Sequence, residues 1–253
     1  MKTLFKPWQV VLAALFVAAC GGGDDSLDDR ASVADPKVRF VNAVPLGANL
    51  TLYRNDTAQS DATNTDYKFA SRYFDVETGP ASWPVREQST NTELDAVPID
   101  ADRGNRYSIV ALAGSSGVEL LLIDDPYNKS ITSDNARVRV VNASLNAQNV
   151  DVYLTARGVD LATVAPTFAA VGYQTAQPAS GGDSVDLEGG DYQLRIAPAG
   201  TKGVIFSAPV TLAKNADWLL LTLARSPAPG DVSVLVVQSS DEVAQTAIEI
   251  TSP

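Results

Sequence analysis

An internal repeat constrains the fold of this chain more than any other feature. Residues 37–43, KVRFVNA, match residues 137–143, RVRVVNA, at an offset of 100 residues, and the register continues to Tyr53 and Tyr153. Two later blocks follow in the same order: 69–74 with 168–173, and 103–112 with 214–223. Four matched blocks in one order predict a duplicated domain.

Hydrophobic periodicity assigns the repeat to β-structure. Val138 and Val140 alternate with Arg137 and Arg139, as on a strand with one buried face. Short strands separated by Gly, Pro, Asn and Asp are typical of sandwiches. We therefore predict an all-β chain of two tandem antiparallel immunoglobulin-like β-sandwich domains, each folding separately across a polar boundary. The predicted divisions are 37–125 for the first repeat, 136–238 for the second and 239–253 for a C-terminal tail.

The N-terminal 19 residues predict a secretory signal peptide. Lys2 and Lys6 precede a ten-residue apolar run, and small residues lead directly to Cys20, the only cysteine. The apolar run is about half the roughly 20 residues that a membrane span needs. This arrangement resembles a bacterial lipobox, which predicts that Cys20 carries a diacylglycerol. The alternative is an ordinary cleaved signal with an incidental cysteine.

We predict that residues 20–36 form the lipidated cysteine and a flexible acidic tether. The segment after the cysteine has almost no apolar content, which is typical of a flexible spacer. A solvated spacer is favoured over a calcium cluster there, because nothing fixes its carboxylates in place. The residue after the cysteine is Gly21. In diderm bacteria an aspartate at this position resembles an inner-membrane retention signal, so its absence favours the outer membrane. The expected location is therefore the cell envelope, at the outer membrane of a diderm bacterium. The tether's aspartates are Asp24, Asp25, Asp28 and Asp29.

The strand motifs resemble a bacterial extracytoplasmic family, the domain of unknown function 4397. The second repeat supplies Asn142-Ala143-Ser144, the Val-Asp-Val-Tyr strand, the Gly-Asp-Tyr strand from Gly190, and Pro-Ala-Gly ending at Gly200. It departs from the family pattern at Leu145, where proline is expected, whereas the first repeat keeps Pro45. The first repeat also has Trp83-Pro84 where the Gly-x-Tyr strand is expected. The resemblance implies two sandwich copies and carries no catalytic residues.

Composition excludes several kinds of chemistry. The chain has no histidine, and its one methionine is Met1, so Ser-His-Asp triads and His-ligated metals are excluded. Removing residues 1–19 takes away two lysines and no acid, so the formal charge changes from −11 to −13. Such a charge disfavours nucleic acid as a partner. We expect no cofactor and no catalytic or metal-binding residue.

Several positions have both a structural and a functional interpretation. Asp100 and Asp102 resemble part of a calcium loop, but a hairpin turn explains them better, because the second repeat keeps no carboxylate there. Asn42 and Asn142 end strands, where bonds to nearby backbone are expected. We expect Tyr53 and Tyr153 to pack under loops or bind a ligand. Trp218 is expected to be buried, with its indole N–H bonded at the strand end.

Two function classes remain open. The first is a non-enzymatic binding or structural module, anchored to a membrane by its N-terminal lipid and contacting an envelope protein or glycan. The second is a carboxylate-dependent hydrolase of envelope polysaccharide. A cleft holding two carboxyl groups roughly 5–10 Å apart favours the hydrolase.

Overall fold

The computed structural model describes residues 34–45, 47–127, 133–240 and 246–252. Over these ranges the chain is built of β-strands with two short 3₁₀ turns, Ser60–Ala62 and Leu161–Thr163. The predicted all-β class is therefore confirmed. None of the described helical segments is long and apolar enough to cross a membrane.

The N-terminal half, which we define as residues 34–127, contains eight strands in two sheets. One sheet has the order β4-β1-β7-β8 and the other the order β3-β2-β5-β6. The strands are β1 (Lys37–Asn42), β2 (Leu50–Arg54), β3 (Thr57–Ala58), β4 (Phe74–Asp75), β5 (Gly79–Glu87), β6 (Glu93–Ala101), β7 (Arg106–Ala113) and β8 (Val118–Asp125).

The C-terminal half, residues 133–252, contains ten strands, also in two sheets. One sheet has the order β12-β9-β16-β17-β18, with β13 also paired to β9, and the other the order β11-β10-β14-β15. The strands are β9 (Asn135–Ala143), β10 (Asn149–Thr155), β11 (Phe168–Gly172), β12 (Thr175–Gln177), β13 (Val185–Glu188), β14 (Gly190–Pro198), β15 (Phe206–Leu212), β16 (Ala216–Ala224), β17 (Val232–Ser240) and β18 (Thr246–Ile250).

Two details differ from the sequence-based expectation. The segment 239–253 was predicted as a tail, but β18 lies within it and pairs antiparallel with β17 along five residues. The sheets are also mixed, because β1 pairs parallel with β7 and β9 pairs parallel with β16. These partners lie far apart in sequence, and periodicity within a strand carries no information about the direction of its neighbour. The division into domains 37–125 and 136–238 stays a prediction.

The Trp83-Pro84 departure has a local structural consequence. Strand β5 does run through these residues, but β2 pairs with it at only three positions, ending at Leu52 and Val85. In the C-terminal half, β10 and β14 pair at six positions. Proline has no N–H to donate to a ladder, so pairing with β2 stops where Pro84 begins.

Each half has its own apolar core between its two sheets. Phe40, Leu52 and Trp83 are fully buried in the N-terminal core. Trp218 lies in the C-terminal core at 5% exposure, as predicted, but its indole Nε1 has no hydrogen-bond partner there. The expectation of a partner at the strand end is therefore wrong.

A third core, which we call the central core, joins the two halves. It combines the outward faces of the sheets containing β1 and β9, which pack against each other. Apolar side chains of the two halves are therefore in contact between these faces, and the described chain stacks four sheets. The fully buried members of the central core include residues from both halves: Val41, Val110, Leu112, Leu219, Leu221, Leu223 and Val237.

Buried arginines lie beside the central core on the same two faces. Arg137 is 5% exposed and donates to Asp125 of the N-terminal half at 2.8 Å and to Asp217 at 3.1 Å. Arg106 reaches Asp217 from the other side at 3.5 Å, and its guanidinium stacks on the Tyr127 ring at 3.5 Å. The arginine faces predicted from the repeat are thus buried between the halves rather than solvated, which is possible because carboxylates and aromatic rings satisfy them.

Asp125 joins the two halves electrostatically. Burial alone would raise the pKa of its carboxyl, but the nearby Arg137 and Arg139 guanidinium groups outweigh burial and lower that pKa below its ordinary value. The folded state therefore favours the charged carboxylate. Its stabilisation is present above the unfolded-state pKa and is lost as pH falls through the lower folded-state pKa.

We predict that Leu221→Ala lowers the free energy of unfolding by about 2–5 kcal/mol, because Leu221 is fully buried in the central core. The matched control is Leu94→Ala, since Leu94 is 36% exposed on β6. Urea unfolding of the chain without its signal peptide measures both. Equal effects of the two substitutions would contradict face-to-face packing of the halves.

We also predict that Asp125→Asn lowers the free energy of unfolding by about 3–5 kcal/mol at pH 7, because it leaves Arg137 and Arg139 without their shared carboxylate. The deficit should shrink as pH falls below about 4, where the wild-type carboxyl begins to be protonated in the unfolded chain. Thermal melts across this pH range measure the difference. A deficit that stays constant down to pH 2 would argue against the ion pair.

Candidate functional site

An apolar groove lies where loops of the two halves meet. Its volume is about 740 Å³, within the range of ligand pockets in proteins. Loops from both halves contribute, so neither half forms it alone. The lining residues are Pro45, Tyr67, Leu145, Asn146, Gln148, Ala224, Arg225, Ser226, Pro227 and Pro229.

The paired asparagines shape the loops that line this groove. Asn142 Oδ1 accepts from the backbone N–H of Ser144 at 3.0 Å, and its Nδ2 donates to the carbonyl of Ala147 at 2.8 Å. Asn42 does the same in the first half, accepting from Val44 N–H at 3.1 Å. The predicted structural role is confirmed. Pro45 and Leu145, at equivalent positions of the repeat, thereby reach the same groove.

The opposite wall is the loop between β16 and β17, held by a polar cluster. Asn146 Nδ2 donates to the carbonyls of Ser226 at 2.8 Å and Ala228 at 2.6 Å. Arg225 Nε donates to Asp231 at 2.7 Å. The hydrogen bond from the Ser226 hydroxyl, assisted by Arg225, lowers the pKa of Asp231. The wall is therefore positioned by bonds within the protein, which leaves its proline faces for contact with a ligand.

Tyr67 is the one aromatic residue among the described residues that line the groove. Its ring packs against the central core, and Lys68 Nζ lies 5.0 Å from the ring centroid while pairing with Glu249 at 2.7 Å. Burial, and then the charge of Glu249, raise the pKa of Tyr67 to about 12. At neutral pH the phenol stays protonated and keeps its hydrogen-bond donor.

The groove and Ala34, the first described residue, lie at opposite ends of β1. The carbonyl of Ala34 accepts from Gly104 N–H at 3.0 Å, which places the start of the described chain beside the β6–β7 turn. From there β1 runs six residues, about 20 Å, towards Pro45 in the groove. The start of the described chain is therefore remote from the groove.

The predicted lipidation site, Cys20, and the four tether aspartates lie outside the described residues. Asp102 lies in the β6–β7 turn, where Gly104 has a φ of 78°, as expected for a hairpin. Asn105 Nδ2 donates to Asp124 at 3.2 Å across this turn. Within the described ranges no group of three or more His, Cys, Asp or Glu side chains is arranged to hold a metal ion.

The two paired tyrosines have different surroundings. Tyr153 is fully buried with Leu161 beneath the second 3₁₀ turn, and Lys202 Nζ donates to its hydroxyl at 3.1 Å. This confirms packing under a loop for Tyr153. Tyr53 is half-buried, with the Arg86 guanidinium 4.5 Å from its ring centroid. Neither tyrosine lines the groove.

A shallower pocket brings two carboxylates together. Asp75 and Glu77 line it, but Asp75 pairs with Lys37 at 2.9 Å and Glu77 with Arg54 at 3.1 Å. Both carboxylates therefore have cationic partners at the surface. Among the described residues that line the larger groove there is no carboxylate.

A family model for a domain of unknown function, DUF4397, matches residues 36–153. This match supports the family indicated by the strand motifs. It begins just before β1 and ends at Tyr153 in β10, so it spans the N-terminal half and the first two strands of the next. No curated protein matches the chain.

Two solved carbohydrate-binding modules show low similarity. One is a family 41 module from a streptococcal virulence factor that recognises α-glucan, at 12% identity and a TM-score of 0.26, covering 77% of this chain and 96% of that one. The other is a family 26 module of Eubacterium rectale in complex with maltoheptaose, at 7% identity and a TM-score of 0.24, covering 78% and 95%. Scores this low do not establish a shared arrangement of strands, and the ligands of these modules carry no argument for this chain.

Sequence reasoning did not predict the groove, although two of its residues stood out. Pro45 and Leu145 drew attention as a position where the two repeats differ, with Pro45 keeping the family pattern and Leu145 departing from it. Tyr67, Pro227 and Pro229 carried no repeat signal, because they lie in loops outside the matched blocks. Only the meeting of the two halves brings these residues together.

Proposed function

We propose that this protein is a non-enzymatic binding module of the bacterial cell envelope, tethered by a lipid on Cys20, which binds an envelope protein or glycan in the groove. The observation that carries the proposal is the apolar groove built from loops of both halves. Its tyrosine, three prolines and Leu145 offer flat apolar contact surfaces, and the exposed side chain of Gln148 supplies hydrogen-bonding groups. Both kinds of group are typical of recognition sites.

The position of the groove supports presentation away from a membrane. A lipid at Cys20 and a spacer of residues 21–33 would join the folded protein at Ala34, the end remote from the groove. The groove would then face outward, towards a partner. We assign the module to the outer membrane on the strength of Gly21, and we infer that 136–238 is a second copy of the same domain.

The hydrolase alternative has less support. Carboxylate catalysis needs two carboxyl groups facing one cleft, and the part of the groove lining that the structure describes includes none. Asp75 and Glu77 do share a pocket, but Lys37 and Arg54 neutralise them there.

We predict that Tyr67→Ala weakens binding of a glycan or peptide identified by array screening of the chain from residue 21 onward. Loss of a central aromatic contact costs about 2 kcal/mol or more, which is roughly thirtyfold in Kd. Calorimetric titration of the wild type and the variant measures the change.

Tyr53→Ala is the matched control, since it removes the same side chain outside the groove. Its affinity should equal that of the wild type, and melts should show that both variants are folded. A ligand whose affinity falls equally in both variants, or in neither, would place binding elsewhere and refute this assignment of the groove.

We predict that Cys20→Ser abolishes lipid attachment, because only the thiol accepts the diacylglycerol. Metabolic labelling with a palmitate analogue should mark the wild type and leave the variant unlabelled, with the variant soluble or uncleaved. Equal labelling of both would show that the lipobox resemblance is misleading. This outcome is independent of the groove experiment.

A further inference from the structure

A small cavity lies between the two halves, apart from the groove. It is enclosed by side chains of the two facing sheets and has room for about one water-sized sphere. Both halves supply cationic groups to it. The lining residues are Arg39, Tyr73, Ser108, Ile123, Asp125, Arg139, Ser184, Asp217 and Trp218.

Arg39 brings an uncompensated charge to this cavity. The residue is 5% exposed, and its Nε donates to the Ser108 hydroxyl at 2.7 Å while its guanidinium stacks over the Tyr73 ring at 4.6 Å. Its Nη1 is buried and has no hydrogen-bond partner among the described residues. No carboxylate there lies within ion-pair distance of it. A buried cation without a counter-charge is costly, and proteins rarely tolerate one.

Arg139, the repeat equivalent of Arg39, brings a second guanidinium to the same cavity. It is 3% exposed, donates to the carbonyl of Ala179 at 3.0 Å, and lies 3.8 Å from Asp125. Burial lowers the pKa of Arg139; the charge of Asp125 opposes this effect, and the charges of Arg137 and Arg39 add to it. Two like charges therefore face one small buried space.

The two carboxylates of the cavity are already engaged by other donors. Asp125 accepts from Arg137 at 2.8 Å and from the Ser184 hydroxyl at 3.2 Å. Asp217 accepts from Arg137 at 3.1 Å and from Tyr127 at 3.3 Å. Neither carboxylate forms an ion pair with Arg39. The Tyr73 hydroxyl, 3.2 Å from Ser108 Oγ, can donate into the cavity when Ser108 donates to it.

We propose that this cavity binds one monoatomic anion, chloride under ordinary conditions, against Arg39 Nη1 and Arg139. A halide supplies the negative charge that Arg39 lacks and, as a single atom, is the kind of anion best suited to a space for one small sphere. Phosphate, sulfate and carboxylates are too large for it. A water molecule fits by size but leaves the Arg39 guanidinium uncompensated. The anion would act as a structural ligand that joins the two halves.

Bromide replaces chloride and scatters anomalously, so crystals grown from bromide in place of chloride test the site directly. We expect an anomalous peak between Arg39 and Arg139. No peak in the cavity, or peaks on the protein surface alone, would show water or an adventitious ion only and would overturn the proposal.

Solution melts provide an independent test in the wild-type chain from residue 21 onward. At constant ionic strength, gluconate, which is too large to enter the cavity, is replaced by chloride at about ten times the Kd for chloride. This replacement should raise Tm by about 3–6 °C. Equal melting temperatures across this exchange would contradict a chloride site.

Arg39→Met keeps the bulk of the side chain and removes its charge, and this variant should lose the chloride dependence of Tm. Arg54→Met is the matched control, because Arg54 pairs with Glu77 on the other sheet of the first half. It should keep the full chloride response. If Arg39→Met does not fold, the wild-type crystals and melts still decide the question. A chloride response that persists in folded Arg39→Met would place the ion elsewhere and overturn the assignment.

Discussion

Face-to-face packing of two sheets, one from each half, is the interaction on which the rest of this structure depends. The sheet containing β1 and the sheet containing β9 each cover a sandwich core with one face and the central core with the other. Central strands such as β7 and β16 are therefore buried on both faces, which explains their continuous apolar runs. The halves are joined by apolar contact, and the buried arginines set how the two faces align.

The arginines illustrate how a polar group can be buried inside such an interface. Arg137 bridges Asp125 and Asp217, so it links carboxylates from both halves through one guanidinium. Replacing either carboxylate would leave a buried cation, which costs more than a surface ion pair contributes. The network therefore favours one alignment of the two sheets over others that would separate these charges. The proposed anion at Arg39 would complete the same arrangement at the position that the carboxylates do not reach.

The groove follows from the same packing. Because β1 and β9 belong to the two facing sheets, the loops after them, carrying Pro45 and Leu145, open onto one space. The β16–β17 loop closes that space, and Asn146 fastens it by three hydrogen bonds to backbone carbonyls. A ligand site formed in this way is sensitive to the central core. Substitutions at Leu221 therefore test the fold, whereas substitutions at Tyr67 test recognition.

The sequence by itself determined the β-class, most strand positions and the local roles of Asn42 and Asn142, because these depend on period-two alternation and on short-range hydrogen bonds. The sequence also predicts a lipid anchor at Cys20 and hence an envelope location; Cys20 lies outside the described residues. Only the tertiary structure decided that the faces carrying Arg39 and Arg139 are buried, that β18 extends the sheet, and that Tyr67 and Leu145 line the same groove. An arginine alternating with valine has the same pattern whether its face meets water or a second sheet. Whether such an arginine is buried depends on partners such as Asp125 and Asp217. These carboxylates are distant from Arg139 in sequence, so no local pattern can assign them as its partners.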